Sequence, residues 1–315
     1  MDRFWLFLKG MAMGAADVVP GVSGGTIAFI SGIYDELLQT IKNMHPRLIG
    51  VCFQNGFRAF WKEGNFGFLL TLVAGILTSV ITLARGISWL LENQPLMIWA
   101  FFFGLVAMSC WLIGREVRER SLATSGMLII GALLGWQLTQ GFSFSLEPTA
   151  LNFFIGGAIA ICAMILPGIS GSFLLLILGL YQPVLDAVKQ GHVSFLLLFM
   201  VGCASGLLGF SRFLHWSLHH HRNLTLSILT GFMLGSLGKV WPWKVTRVYR
   251  MDSHGDSVPL LQDSVLPHTF EAVTGQSSQL TLLLGLIALG AVAVWLLSRL
   301  AKNNEPMQAI AMEGK

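Results

Sequence analysis

The chain has 315 residues, 54% hydrophobic and only 11% charged, where an ordinary soluble domain carries roughly 25% charged residues. That balance excludes a typical soluble enzyme, and the apolar content excludes disorder, which needs high charge and few apolar residues. The net charge of +4 does not imply nucleic acid, because Lys and Arg sit in short loops beside apolar runs, the positive-inside pattern of membrane proteins.

The first apolar segment, residues 3–41, is broken at its centre by Pro20-Gly21-Val22-Ser23-Gly24-Gly25. A basic and aromatic stretch follows at 42–65, with Lys42, Arg47, Arg58 and Lys62. Apolar runs then cover 66–91, 95–113 and 121–139, and each approaches the ~20 residues that a spanning helix needs. A second broken segment occupies 150–188, interrupted at Pro167-Gly168-Ile169-Ser170-Gly171-Ser172. Runs at 194–216 and 223–240, a polar loop at 241–277 and a last run at 278–299 complete the series, and 301–315 form a polar tail. Period-2 patterning with regular turns, the mark of a membrane β-barrel, is not evident. The predicted fold is therefore an all-α polytopic membrane protein.

Two blocks of the sequence recur. Pro20, Gly21, Ser23, Gly24, Gly32 and Tyr34 return as Pro167, Gly168, Ser170, Gly171, Gly179 and Tyr181, at a constant offset (167 − 20 = 147). Gly75, Arg85, Trp89, Gly104 and Ser109 return as Gly202, Arg212, Trp216, Gly231 and Ser236 (212 − 85 = 127). The 20-residue difference approximates the insertion 42–65. The third helices, 121–139 and 278–299, match too weakly for a residue-level alignment. The reading is two repeats, 1–140 and 141–300, each a re-entrant helical hairpin followed by about three membrane helices.

Charge sets the topology. With residues 1–65 in the cytoplasm, the runs alternate so that Arg115, Arg118, Arg120, His219–Arg222, Arg299 and Lys302 also fall inside, as the positive-inside rule prefers. Both termini are then cytoplasmic. Lys244, Arg247 and Arg250 lie in a longer external loop, where the rule is weaker. Three spans between the hairpins invert the second half relative to the first, so the two glycine-rich tips approach from opposite faces. Broken helices at an inverted-repeat interface are a transporter architecture.

The tips are the first candidate site. A helix break within the bilayer leaves backbone groups that survive only beside protein or a polar cavity. Gly21, Val22, Ser23, Gly24, Gly25 and Thr26 in one tip, and Gly168, Ile169, Ser170, Gly171 and Ser172 in the other, would present N–H groups at helix starts to an anion such as phosphate or carboxylate. Arg85 and Arg212, at matching positions inside apolar helices, would add one guanidinium per leaflet, or else snorkel to the nearest interface. Asp17, three residues before Pro20, has Met164 as its repeat counterpart and is the first candidate for coupling to H⁺ or Na⁺. Asp35 and Glu36 are further coupling candidates, or else solvated. No cofactor and no metal site is expected: Cys52, Cys110, Cys162 and Cys203 lack ligand spacing and read as small packing residues, and His219–His221 read as a solvated loop. The apolar start Phe4–Leu8, interrupted by Lys9, is too short for a cleaved signal peptide.

The run Asp17-Val18-Val19-Pro20-Gly21-Val22-Ser23-Gly24-Gly25-Thr26, with its second copy, resembles the PopT family of bacterial membrane proteins. That family was long an uncharacterised domain family and is assigned as polyprenyl-phosphate translocases. The resemblance spans about residues 5–300. It implies return of undecaprenyl phosphate from the outer to the inner leaflet of the bacterial plasma membrane, so that cell-wall synthesis can reuse the carrier. The implied partner is a polyprenyl-phosphate lipid, with H⁺ or Na⁺ as coupling ion; homo-oligomerisation is left open. The second tip departs from the first, with Ser172 and Phe173 where Gly25 and Thr26 stand. Two other readings compete. One is an anion channel or small-anion transporter using the same tips. The other is an intramembrane serine hydrolase, since Gly21-Val22-Ser23-Gly24-Gly25 satisfies G-x-S-x-G; it would need a His base within hydrogen-bond reach of Ser23.

Overall fold

The computed structural model describes residues 3–19, 22–45, 47–139, 146–168, 170–251 and 257–313. The first broken segment folds as α1 (Arg3–Asp17), α2 (Gly24–Ile30) and α3 (Tyr34–Asn43). The basic stretch forms two short helices, α4 (Arg47–Asn55) and α5 (Phe57–Glu63). Then come α6 (Phe66–Asn93), α7 (Pro95–Arg115) and α8 (Leu122–Thr139). The second broken segment gives α9 (Ala150–Ile165), α10 (Gly171–Ile177) and α11 (Tyr181–Gln190), followed by α12 (Val193–His220) and α13 (Arg222–Ser236). A 3₁₀ turn (Leu237–Val240) leads into β1 (Lys244–Met251), β2 (Ser257–Ser264), α14 (Pro267–Thr274) and α15 (Leu280–Glu313).

Among the described residues, five helices are long and apolar enough to cross a membrane, within α6, α7, α8, α12 and α15. A sixth candidate is the bent pair α10–α11, which turns through 105°. The protein is an all-α polytopic membrane protein, as its composition implies. Half of α7 is buried within the fold, whereas the apolar windows of α6, α8, α12 and α15 are mostly uncovered. Those four therefore present their Leu, Ile, Val and Phe to lipid, and α7 belongs to the interior.

The sequence-level loop 241–277 is more ordered than expected. β1 and β2 pair antiparallel from Lys244↔Ser264 to Met251↔Ser257, and Trp243 and Phe270 seat this lobe on Ala100 and Leu283. Val245, Thr246, Val248 and Tyr249 are strand-favouring residue types, and the loop holds a small, bulged β-hairpin on an otherwise helical body.

Small residues bring the long helices together, as in many membrane bundles. A Cβ on Gly75 (α6) would collide with the Phe7 carbonyl of α1, and one on Gly202 (α12) with the Phe154 carbonyl of α9. Gly104 (α7) sits against the Ile287 carbonyl of α15, and Gly231 (α13) against the Leu128 carbonyl of α8. Gly290 against Phe101, and Gly131 against Ile228, complete the set. These contacts keep the two sequence offsets and add a third for the last helices (290 − 131 = 159). The hairpin turns recur too. Gly32 and Gly179 both adopt φ of +72°, a left-handed conformation that glycine accepts without a Cβ clash. After them Ile33 N–H donates to the Ala28 carbonyl, and Leu180 N–H to the Leu175 carbonyl, at 3.0 and 2.9 Å.

Candidate functional site

The two helix breaks meet. Pro20, Gly21 and Ile169 lie outside the described residues; the rest of both breaks is in view. Ser23 N-caps α2, its Oγ accepting from Gly25 N–H at 3.1 Å. The same hydroxyl donates to the Met164 carbonyl at the end of α9, at 3.0 Å. Gly168 N–H, in the second break, donates to Thr26 Oγ1 at 3.1 Å. Tyr34, at the start of α3, donates from its hydroxyl to the Ile165 carbonyl at 3.0 Å. Backbone groups freed by the second break are thus satisfied by side chains of the first half, whereas Gly24 and Gly25 of the first break are served from within their own half by Asp17 and Ser23. The approach is close: a Cβ on Gly25 would lie 2.5 Å from the Ile165 carbonyl oxygen.

The two tips are not equivalent. The first is packed dry, with Val22, Ser23 and Thr26 at 1%, 1% and 0% exposure. Its helix start is already occupied, because Gly24 N–H donates to Asp17 Oδ1 at 2.7 Å. Asp17 therefore serves as an internal anion at the very amide where an external one would bind.

The second tip is open. Ser170 makes no side-chain cap to α10; its Oγ lies 2.7 Å from Ser172 Oγ, and Ser172 is exposed. Beside it is a shallow cleft open at its mouth, with room inside for about one water molecule, lined by Gly135, Leu138 and Thr139 of α8, by Gly168, Ser170 and Phe173, and by Phe232, Ser236 and Lys239. Lys239 Nζ lies over the Phe173 ring, 4.5 Å from its centroid, and among the described residues no carboxylate pairs with it.

Lys239 escaped the sequence reading. It closes an apolar run and precedes a polar loop, so by sequence it resembles any interfacial lysine. One signal was present: at the sequence offset of the second recurring block it aligns with Leu112 (239 − 112 = 127), so the charge, like that of Asp17, has no matching charge. Lys244 stands nearby, its Nζ 3.9 Å from the Trp99 ring centroid and donating to the Lys239 carbonyl. Burial, reinforced by the charge of Lys239, lowers the Lys244 pKa to about 7.

The structure leaves the other candidates apart from this cleft. Arg85 is exposed on α6. Arg212 is half-buried and donates from Nη1 to the Leu208 carbonyl of its own helix at 2.9 Å. Neither lines the cleft. Asp35 and Glu36 are exposed in the first turn of α3. Asp35 lies 4.0 Å from Arg222, and Glu36 accepts from Asn65 Nδ2 at 3.1 Å. Among the described residues no histidine hydrogen-bonds Ser23, whose hydroxyl already serves Gly25 and Met164.

Comparison with known proteins bears on this arrangement. A family model described as undecaprenyl phosphate translocase-like matches residues 13–258. A protein of Vibrio cholerae serotype O1 named polyprenyl-phosphate transporter is 52% identical over 294 residues, covering 93% of this chain and 95% of that one. A Staphylococcus aureus protein of the same name is 30% identical over 268 residues, covering 79% of this chain and 90% of its own length. No solved structure matches.

Proposed function

The chain belongs to the undecaprenyl phosphate translocase-like family, and from that premise we propose that it carries undecaprenyl phosphate from the outer to the inner leaflet of the bacterial plasma membrane. The family and both relatives are transporters by name, so the chain is a transporter and not an enzyme. The observation that carries the proposed route is the meeting of the two breaks, tied by Thr26 and Gly168, beside a cleft with hydroxyls and an ammonium.

A bare phosphate cannot enter hydrocarbon, because burying an unpaired charge is prohibitive. Polar groups at the tips replace its water while the prenyl tail stays in lipid. The second tip, with uncapped Ser170 and exposed Ser172, offers donors directly. The first tip, with its amides engaged, gives the second a fixed wall. Arg85 and Arg212, one toward each leaflet, meet the headgroup outside the tips, where a guanidinium can form paired hydrogen bonds to phosphate oxygens. The recurring glycine contacts at fixed offsets support two structurally related halves, inverted by the odd number of spans between the hairpins. Both termini are then cytoplasmic, and the β1–β2 lobe is external.

Inward movement of an anion opposes an inside-negative potential by about 2.3 kcal/mol per charge per 100 mV. Co-transport of H⁺ or Na⁺ offsets this, and Asp17, lodged at the start of α2, is the coupling group, with Asp35 and Glu36 outside it.

The test is reconstitution into liposomes carrying polyprenyl phosphate, with an impermeant phosphatase added outside. Protein-dependent loss of the protected inner pool is the expected result. No change in that pool, together with flux of inorganic anions, would assign the chain to small-anion transport instead.

A further inference from the structure

The cleft at the second break has a counterpart position at the first, and the two differ in both state and chemistry. By the repeat offsets, Ser170 and Phe173 correspond to Ser23 and Thr26, Ser236 and Lys239 to Ser109 and Leu112, and Gly135 to Val294. On the second side these residues surround open space. On the first side that space is filled: Ser109 and Val294 are fully buried like Ser23 and Thr26, and Leu112 packs against the main core. Among the described residues, the second-side positions border open space toward the ends of α8 and α13 that adjoin the β1–β2 lobe, and their first-side counterparts are packed. Among the compared positions, the cation Lys239 stands on the open side and Leu112 on the packed one.

We propose that Lys239 is the group that captures a phosphate monoester, in an outward-facing half-site completed by the Ser170–Ser172 hydroxyl pair, and that the closed first side, which has Leu112 in place of the lysine and carries Asp17, is the half-site from which the headgroup is released. The proposal rests on the transport reading above. Lys239 suits capture. Its ammonium is a compact charge on a flexible stem, held over the Phe173 ring at the cleft wall, with no carboxylate among the described residues to neutralise it. Lys244 does not compete for the ligand, because it is engaged by the Trp99 ring and the Lys239 carbonyl; it fixes the turn that carries Lys239. A phosphate drawn to an ammonium on one side and meeting buried hydroxyls and the Asp17 carboxyl on the other binds more tightly where it enters than where it leaves.

The probes are farnesyl phosphate, a short prenyl phosphate, and inorganic phosphate. In the wild-type protein, reductive methylation of lysines is followed by mass spectrometry. Farnesyl phosphate is expected to protect Lys239 while the exposed Lys62 reacts unchanged. Equal methylation of Lys239 with and without farnesyl phosphate would overturn the assignment. Equal protection by inorganic phosphate at the same concentration would also overturn it as a lipid-headgroup site. In variants with wild-type elution and thermal midpoint, Lys239→Gln is expected to raise the Kd for farnesyl phosphate about ten- to a hundredfold, with Lys239→Arg closer to wild type. Unchanged affinity in Lys239→Gln would overturn the proposal while leaving the transport reading intact. Conversely, protection of Lys239 in a protein that moves no polyprenyl phosphate between leaflets would sink the transport reading and not the site.

Discussion

Thr26 and Gly168 stand 142 positions apart and join the two helix breaks, Gly168 donating its backbone N–H to Thr26 Oγ1 at 3.1 Å. Thr26 is fully buried, so this N–H has no water to fall back on. Thr26→Val removes the acceptor at nearly constant volume, and an orphaned buried donor costs about 1–3 kcal/mol. Thermal unfolding in detergent should show a clear drop in midpoint for Thr26→Val and little for Thr26→Ser. Equal midpoints for all three proteins would mean that the breaks are not tied at this bond.

Asp17 binds Gly24 N–H through Oδ1 at 2.7 Å. Asp17→Asn keeps an oxygen there and removes the charge, whereas Asp17→Ala removes both. Asp17→Asn should therefore fold as wild type while leaflet exchange loses its response to an imposed H⁺ or Na⁺ gradient. Asp17→Ala should lose stability as well. Leaflet exchange in liposomes, measured with and without each gradient, checks this; a fully gradient-responsive Asp17→Asn would remove Asp17 from coupling.

Gly104 and Gly231 hold equivalent helix crossings, each against a backbone carbonyl that cannot move alone. Alanine at either position should destabilise the fold by a similar amount, about 1–3 kcal/mol from overpacking. Gly126, with open space around its Cβ position, is the control, and Gly126→Ala should be neutral or better. Midpoints of the three variants, compared side by side, decide the point.

Lys244 gives a pH signature. Its pKa is about 7, below its ordinary value of 10.5, because burial disfavours the charged form and Lys239 adds repulsion. Between pH 7 and about 10 the unfolded chain holds a proton that the folded chain does not, so stability rises with pH across that window. Below pH 7 the folded state carries the full penalty. Lys244→Met should lack this rise, so the wild-type midpoint should gain on the variant's from pH 7 to pH 9. Parallel curves would mean that Lys244 is solvated.

Much of this arrangement was legible in the sequence, because its causes are local. Proline and glycine stop helices wherever they fall, so the breaks and their recurrence could be read directly. Fifteen- to thirty-residue apolar helices announce themselves by composition. The matched crossings of α8 and α15 were hidden, since single glycines, Gly131 and Gly290, make them while lipid-facing neighbours are interchangeable. The difference between the tips was also hidden. Ser23 and Ser170 are the same letter in the same motif, yet one is capped, bonded and dry while the other borders a cleft. The bonds of Ser23 and Tyr34 to the end of α9, and of Thr26 to Gly168, separate them. The arginines drew attention because charge in an apolar helix is costly, but Arg212 resolves that cost on its own helix, and Lys239 reaches the cleft through chain folding that spacing does not encode.

The most direct measurement is a high-resolution cryo-electron microscopy map of the protein in nanodiscs with bound polyprenyl phosphate. Phosphate density within hydrogen-bond reach of Lys239 and Ser170, with the tail passing outward into lipid, is the predicted result. Phosphate density away from both breaks, with the cleft at Gly168 empty, would contradict the account.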